Sequence, residues 1–336
     1  MSKIISVVGA RPNFIKLDSS LPQIIVHTGQ HYDDEMSAIF FRDLHLPKPK
    51  YNLGVNDCDI GNMIQKLTEI FQKEKPRLVI VYGDANSTAA GAIAAYQKRI
   101  PVAHVEAGLR SSNRRMLEEY NRIISDHIAT LNFCPTRTAV ENLKREGLTN
   151  MYLVGDVMYD RILPLKKKFK KGKRQDYIYL TCHRAENVDD KQFLFLLFRA
   201  LGKTKRRIIF PVHPRTKQQI KTFRLKLPDN IEVVAPLGYE QGLQAMTQAS
   251  VVITDSGGMQ KEAYFLGRPC LILRRETEWP EIVDGKSILL VPPEHVRGLE
   301  KILSNNLQKP RIGSKLFGDG HAWKKIKQVL KKEGFL

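Results

Sequence analysis

The sequence predicts an α/β protein made of two Rossmann-like domains with parallel sheets. Three observations carry this. Short apolar runs rich in Val and Ile lack polar alternation, the signature of strands covered on both faces. Longer helix-like stretches separate them, strand and helix alternating throughout. The length of 336 residues is too great for one ordinary core and suits two. In order, the runs are Ile4–Val8, Ile24–His27, Leu78–Tyr82, Val102–Val105, Phe133–Pro135 and Tyr152–Val154, then Tyr177–Thr181, Ile208–Val212, Ile231–Val234, Val251–Thr254 and Cys270–Leu273. The basic, glycine-containing stretch Lys166–Arg174 falls midway and marks the junction. The expected division is 1–166, 167–319 and a basic C-terminal helix over 320–336 (Trp323, Ile326, Val329, Leu330), packing back on the first domain. No internal repeat is visible.

Composition narrows the class. The 42% hydrophobic and 26% charged content is that of a globular protein. No window approaches the roughly 20 apolar residues that span a bilayer, and the start lacks a secretory pattern, so a cytoplasmic location is expected. Cys58, Cys134, Cys182 and Cys270 have neither metal-ligand nor disulfide-framework spacing and read as free, mostly buried thiols. The net charge of +19 concentrates in Lys166–Arg174 and around Lys324–Lys332. Neither block has the aromatic interleaving of a single-strand binder. A solvated linker or attraction of anionic substrates explains the charge better than nucleic acid does, and neither nucleic acid nor membrane is expected as a partner.

Doubly wound sheets bind ligands at the carboxyl ends of their strands. The residues that follow the apolar runs are accordingly chemical: Arg11 and Lys16 after Val8, Gly83-Asp84 after Tyr82, Glu106 after Val105, His183 after Thr181, His213 after Val212, and Asp255-Ser256-Gly257-Gly258 after Thr254. Ser256-Gly257-Gly258 opens a helix pattern, and bare N–H groups there attract phosphate; a plain strand-to-helix turn would use the same residues. Glu262, one turn on, is placed to accept from a ribose. Arg11 and Lys16 can neutralise phosphate or be solvated helix-end cations. Asp84, Glu106 and Glu118 form an acidic set able to divide acid and base roles. Asp84 also suits a helix N-cap, and Glu118 with Glu119 suits a solvated helix start. His183 is a candidate proton carrier or a structural histidine. No P-loop and no Gly-x-Gly-x-x-Gly occurs, so ATP-driven and NAD-dependent chemistry lack support.

Taken together, these segments resemble the non-hydrolysing UDP-N-acetylglucosamine 2-epimerases. The matching blocks run in order: Gly9–Lys16, Thr28–Asp33, Gly83-Asp84, His104–Arg110, Glu118–Arg122, Thr181–Asn187, Pro211–Pro214, Thr254–Gly258, Thr277–Glu281 and Gly318–Gly320. The resemblance implies a glycosyltransferase-B-like architecture, a homodimer and no added cofactor or metal. It implies loss of UDP with removal of the C2 proton, a 2-acetamidoglucal intermediate, and re-addition from the opposite face. Carried over by motif, Asp84, Glu106, Glu118 and His183 are catalytic, and Arg11, Lys16, His213, Ser256, Gly257, Gly258 and Glu262 hold the UDP-sugar substrate. The sequence departs from the family pattern in five places. The stretch between Lys16 and Thr28 is short, leaving a first crossover helix of about two turns. Gly242 stands where an aromatic residue often lies against uracil, Trp279 where many members have arginine, and Lys261 where glutamate is usual. The segment Gln30-His31-Tyr32 departs from the bacterial allosteric site, so activation by substrate is not expected. Alternatives are a UDP-2,3-diacetamido-glucuronic acid 2-epimerase, a hydrolysing epimerase releasing N-acetylmannosamine, a glycosyltransferase of the same architecture, and a nucleic-acid binder.

Overall fold

The structure, a computed structural model, describes residues 3–29, 44–55, 59–169, 175–305, 307–311 and 316–336. Gln30-His31-Tyr32 and Cys58 lie outside the described residues. The chain divides into two compact units, Met1–Arg161 with Ser314–Leu336, and Ile162–Gly313.

The first unit contains β1 (Ile4–Val8), α1 (Arg11–Lys16), β2 (Ile24–His27), β3 (Tyr51–Asn52), α2 (Ile60–Glu74), β4 (Leu78–Tyr82), α3 (Asn86–Gln97), β5 (Val102–Val105), α4 (Leu117–Ile128), β6 (Leu131–Cys134), α5 (Arg137–Arg145), β7 (Met151–Leu153) and the start of α6 (Val157–Phe169). Among the described residues its sheet has seven strands in the order β3-β2-β1-β4-β5-β6-β7. All the pairs are parallel. β1 and β4 are buried along their whole length. That explains their largely apolar composition, the one hydroxyl inside β1, Ser6, being bonded to Tyr82 Oη at 2.7 Å.

Helix α2 shows how sequence sets an element here. Asp59 caps it, accepting from Gly61 N and Asn62 N. Met63, Leu67, Ile70 and Phe71 form the buried stripe at helical spacing. Lys75 ends it in the left-handed region, followed by Pro76. Its last residue, Glu74, is buried and accepts from Lys50 Nζ at 2.6 Å, Tyr51 Oη at 2.5 Å and Lys3 Nζ at 3.1 Å. This clamps the edge strand β3 to the helix. Hydrogen bonds from Lys50, Tyr51 and Lys3 pull the Glu74 carboxyl from its ordinary 4.5 to about 2. A carboxyl depressed on folding stabilises fully above its unfolded pKa, and that contribution disappears as pH falls through the folded value. Glu74→Gln is therefore expected to flatten the loss of stability between pH 4.5 and about 2 in urea-unfolding curves. Superimposable acid profiles would contradict this.

The second unit holds β8 (Tyr177–Thr181), α7 (Ala185–Val188), α8 (Lys191–Lys203), β9 (Arg207–Pro211), α9 (Pro214–Thr222), β10 (Ile231–Val234), α10 (Tyr239–Gln248), β11 (Val251–Thr254), α11 (Gly257–Leu266), β12 (Cys270–Ile272), β13 (Ile288–Leu290) and α12 (Leu299–Ser304). Its six described strands run β10-β9-β8-β11-β12-β13, again all parallel. Phe193, Leu194, Leu197 and Leu201 of α8 join Ile178, Leu180 and Ile253 of the sheet in one buried core. The last helix, α13 (Ala322–Lys332), belongs to the first unit. There Asp160 accepts from the N–H groups of Ala322 and Trp323, both at 2.9 Å.

The runs read from sequence correspond to β1, β2 and β4 to β12, with ends shifted by one or two residues at β6, β7, β9 and β12. The two-residue β3 and three-residue β13 carry too few apolar positions to register. The basic stretch is not a linker from its first residue, because α6 runs on to Phe169. Lys166–Lys168 occupy its last turn, where cations suit the helix dipole. Lys166 Nζ donates to Phe265 O at 2.6 Å, and Lys168 pairs with Glu240 at 2.9 Å. Compact packing divides the chain inside α6, between Arg161 and Ile162, rather than at 166. Cys134, Cys182 and Cys270 are free and buried. No described helix is long and apolar enough to cross a membrane.

Candidate functional site

Strand order reverses between β1 and β4 in the first sheet and between β8 and β11 in the second. The carboxyl ends of strands beside such a reversal are where ligands bind in doubly wound folds. Lys16, Gly83-Asp84, His183 and Asp255-Ser256 all follow these four strands.

In the first unit, buried Asn13 ties the two strand ends together. Its Nδ2 donates to Tyr82 O at 2.8 Å, and its Oδ1 accepts from Gly9 N and Ala10 N. Lys16 Nζ pairs with Glu106 Oε1 at 2.5 Å, their side chains 3% and 9% exposed. Glu106 holds φ at 71°, a left-handed conformation that costs a glutamate about 1–3 kcal/mol and recurs at functional sites. Gly83 lies against this pair: a Cβ there would come within 2.5 Å of Lys16 Nζ and 3.3 Å of Glu106 Oε1. Glycine at 83 thus serves both its φ of 63° and the close approach of the ammonium.

Asp84 bonds to the guanidinium of Arg122, and its carbonyl accepts from Asn121 Nδ2 at 2.9 Å. Burial pushes the Asp84 carboxyl up, but the charges of Arg122 and Lys16 outweigh both burial and the repulsion of Glu106 and hold it below its ordinary value. The Asp84 side chain stays 35% exposed, so a ligand can reach it, while Arg122 beneath is 2% exposed. Glu118, half-buried in the first turn of α4, stands one turn before Arg122 on the same face. Glu119 is not a solvated helix-start residue. It is buried and accepts from Ser111 N, Ser111 Oγ, Ser112 N and Arg122 Nη1 at 2.8–2.9 Å. Behind this cluster, fully buried His104 bonds Gly83 O at 2.8 Å and Asp126 at 2.7 Å, and Asp126 also pairs with Arg110. Burial drives the Asp126 carboxyl up, yet His104 and Arg110 together bring it below its usual value.

In the second unit, Asp255 is fully buried. It accepts from His183 N, Arg184 N and Asn187 Nδ2, and its Oδ1 lies 3.2 Å from His183 Nδ1. This orients the His183 ring, which is 36% exposed. The ring of His213 lies 5.6 Å from it. His213 caps α9, its Nδ1 accepting from Arg215 N at 3.2 Å. Ser256 caps α11 by accepting from Met259 N at 3.4 Å. A Cβ at Gly257 would come within 2.1 Å of Glu278 Oε1, so glycine there makes room for a buried carboxylate. Glu278 pairs with Arg274 at 2.8 Å, the two 8% and 1% exposed. Glu262 is buried on α11.

Two departures from the family pattern meet in space. Lys261 Nζ lies 4.0 Å from the centroid of the Trp279 ring, and both residues are about 1% exposed. Lys261 thus places a buried ammonium over the indole, a cation–π contact between the two positions. At Gly242, Tyr179 Oη lies 3.6 Å from where a Cβ would stand. Arg11 opens α1 and is exposed.

Within the first unit, then, Lys16, Asp84 and Glu106 come together around Gly83, with Glu118 on the adjacent helix. Within the second, His183 and His213 face each other beside the turn that carries Ser256. Arg122, Asn121, Asn13 and the Arg274–Glu278 pair were not singled out from sequence, and Asp255 was named only as part of the strand-end turn. Arg122 left a signal, an Arg four residues after Glu118 on one helix; Arg274 and Glu278 lie outside helices, where that spacing carries none.

A sequence model described as UDP-N-acetylglucosamine 2-epimerase matches residues 14–331. The chain belongs to the UDP-N-acetylglucosamine 2-epimerase family. A UDP-N-acetylglucosamine 2-epimerase homolog of Methanococcus maripaludis is 45% identical over 98% of this chain and 99% of its own. The UDP-2,3-diacetamido-2,3-dideoxy-D-glucuronate 2-epimerase of Pseudomonas aeruginosa is 40% identical over 98% and 99%. The crystal structure of the Methanocaldococcus jannaschii UDP-GlcNAc 2-epimerase, in complex with UDP-GlcNAc and UDP, superposes with a TM-score of 0.90 at 38% identity, covering 98% of this chain and 99% of that one. The protein is thus an epimerase of this family, with the glycosyltransferase-B-like pair of parallel α/β units expected from sequence. Among its described residues no group of three or more His, Cys, Asp or Glu is placed to hold a metal ion.

Proposed function

We propose that the protein interconverts UDP-N-acetylglucosamine and UDP-N-acetylmannosamine by eliminating and re-adding UDP. The observation that carries this is the cluster at the first sheet's switch point: Lys16 on Glu106, Arg122 on Asp84, and Glu118 on the adjoining helix. C2 of the sugar is not adjacent to a carbonyl, so direct deprotonation is prohibitive. Breaking the C1–O bond as a base takes the C2 proton leaves a neutral 2-acetamidoglucal and UDP. Return of the proton to the opposite face, with attack of the UDP oxygen on C1, completes inversion. This needs acids and bases for both faces, the work assigned to Asp84, Glu106 and Glu118. UDP is held by Arg11, His213, the Ser256-Gly257-Gly258 turn and Glu262, with His183 acting on the leaving group. Lys16 pairs with Glu106, so its charge is assigned to the carboxylate cluster as well as to the diphosphate. The enzyme is proposed to act as a cytoplasmic homodimer feeding cell-surface polysaccharide or glycan synthesis.

A second substrate has support. The P. aeruginosa relative named for a UDP-2,3-diacetamido-glucuronate is 40% identical. Incubation with each UDP-sugar separates the readings. UDP-N-acetylmannosamine as product supports the first; turnover of the diacetamido-uronate alone supports the second. Free sugar plus UDP from either incubation (N-acetylmannosamine from the first substrate, the diacetamido-uronic acid from the second) contradicts a non-hydrolysing enzyme. Ser256→Ala is expected to weaken UDP binding chiefly, with about 1 kcal/mol of stability lost from the helix cap. Calorimetry with UDP checks this, and an unchanged affinity would remove the turn from the nucleotide site.

A further inference from the structure

Helix α1 has only six residues, so most of its carbonyls have no intrahelical partner. The Leu17 N–H returns to Phe14 O at 3.2 Å, and the next three carbonyls would be orphaned. All three are held by side chains from far along the chain. Arg161 Nε donates to Ile15 O at 2.8 Å, and its Nη2 donates to Leu17 O at 2.7 Å. Between them, Trp323 Nε1 donates to Lys16 O at 3.0 Å. The third arm of Arg161 reaches Leu44 O at 3.3 Å. Asp160 in turn fixes Trp323 by accepting its backbone N–H. Arg161 is the last residue of the first unit before the chain passes to the second, and Trp323 comes soon after it returns. The residue whose backbone is pinned on both sides is the one whose buried ammonium meets Glu106.

We infer that Arg161 and Trp323 are positioning residues for Lys16, holding three consecutive carbonyls so that its ammonium is delivered to Glu106 at the reaction centre. This rests on the assignment of Lys16 and Glu106 to the reaction made above. A planar guanidinium fork and an indole N–H suit the task, because each donates in a fixed direction and neither accepts. Misplacement of a reacting group by about 1 Å can cost about 10²-fold in rate, so the loss of one such bond reads out in turnover.

The test uses Trp323→Phe, which keeps a ring and removes the donor, and Arg161→Lys, which keeps the charge and removes the fork. Each is assayed with UDP-N-acetylglucosamine in wild-type and Lys16→Gln backgrounds, with deuterium entry at C2 reading slow rates. Each is expected to lower kcat about tenfold or more, with KM and UDP affinity near those of the wild type and a melting temperature lower by only a few degrees, a fall that the Lys16→Gln background shares. In the Lys16→Gln background each is expected to change kcat less than about twofold, since the group being positioned is gone. Wild-type kcat in both variants would overturn the inference. So would an equal loss in the two backgrounds, the mark of a purely structural role. Full activity in Lys16→Gln itself would overturn the assignment of Lys16 to the reaction, and this inference with it.

Discussion

Asp84→Asn is expected to slow epimerisation by about 10²–10⁴-fold, the range lost when a positioned acid or base is removed. The melting temperature should change little. The amide keeps the shape of the side chain and can still accept from Arg122. Arg122 itself is not stranded, because it retains Glu119 at 2.8 Å. Asp84 also sits with its side chain 35% exposed, so its replacement buries no new uncompensated charge. Measurement of kcat alongside thermal unfolding separates chemistry from folding. Near-normal turnover would remove Asp84 from the proton-transfer set, and the same comparison applied to Glu118→Gln tests the second carboxylate.

Glu278→Ala is expected to act the other way, chiefly on stability. Glu278 and Arg274 are 8% and 1% exposed and pair at 2.8 Å. Removing the carboxylate leaves a guanidinium buried without that counter-charge, a change that typically costs about 3–5 kcal/mol. For a unit of this size that corresponds to a fall of roughly 6–20 °C in melting temperature. Replacing both partners by apolar residues should cost less than Glu278→Ala alone, because no charge then remains to be buried. Calorimetry of the single and double variants checks both points. A single variant as stable as the wild type would show that this ion pair contributes nothing to the fold.

The fold was legible because parallel strands buried on both faces leave largely apolar runs without polar alternation, as β1, β4, β8 and β11 do. β6 was read two residues late, since Asn132 interrupts its run. That asparagine is buried and spends its amide on Asp126 O, a tertiary contact that composition does not reveal. The site was legible to the extent that strand ends are: Lys16, Asp84, Glu106, His183 and Ser256 each follow a strand directly or within one short helix. What draws them into a candidate site comes from distant residues. Asp255 orients His183, Arg122 reaches Asp84 from α4, and Arg161 with Trp323 grips the backbone of Lys16. Lys261 and Trp279 read as two separate departures from the family pattern in sequence and lie in contact in the structure. Pairings across tens or hundreds of positions leave no local periodicity and need the fold to be seen.

The proton at C2 offers the most direct check. With UDP-N-acetylglucosamine in heavy water, removal of that proton by the carboxylates and its return from exchangeable side chains should give UDP-N-acetylmannosamine with deuterium at C2, and deuterium should enter recovered substrate as well. Epimerised product that keeps its original hydrogen at C2 would contradict proton transfer through Asp84, Glu106 and Glu118.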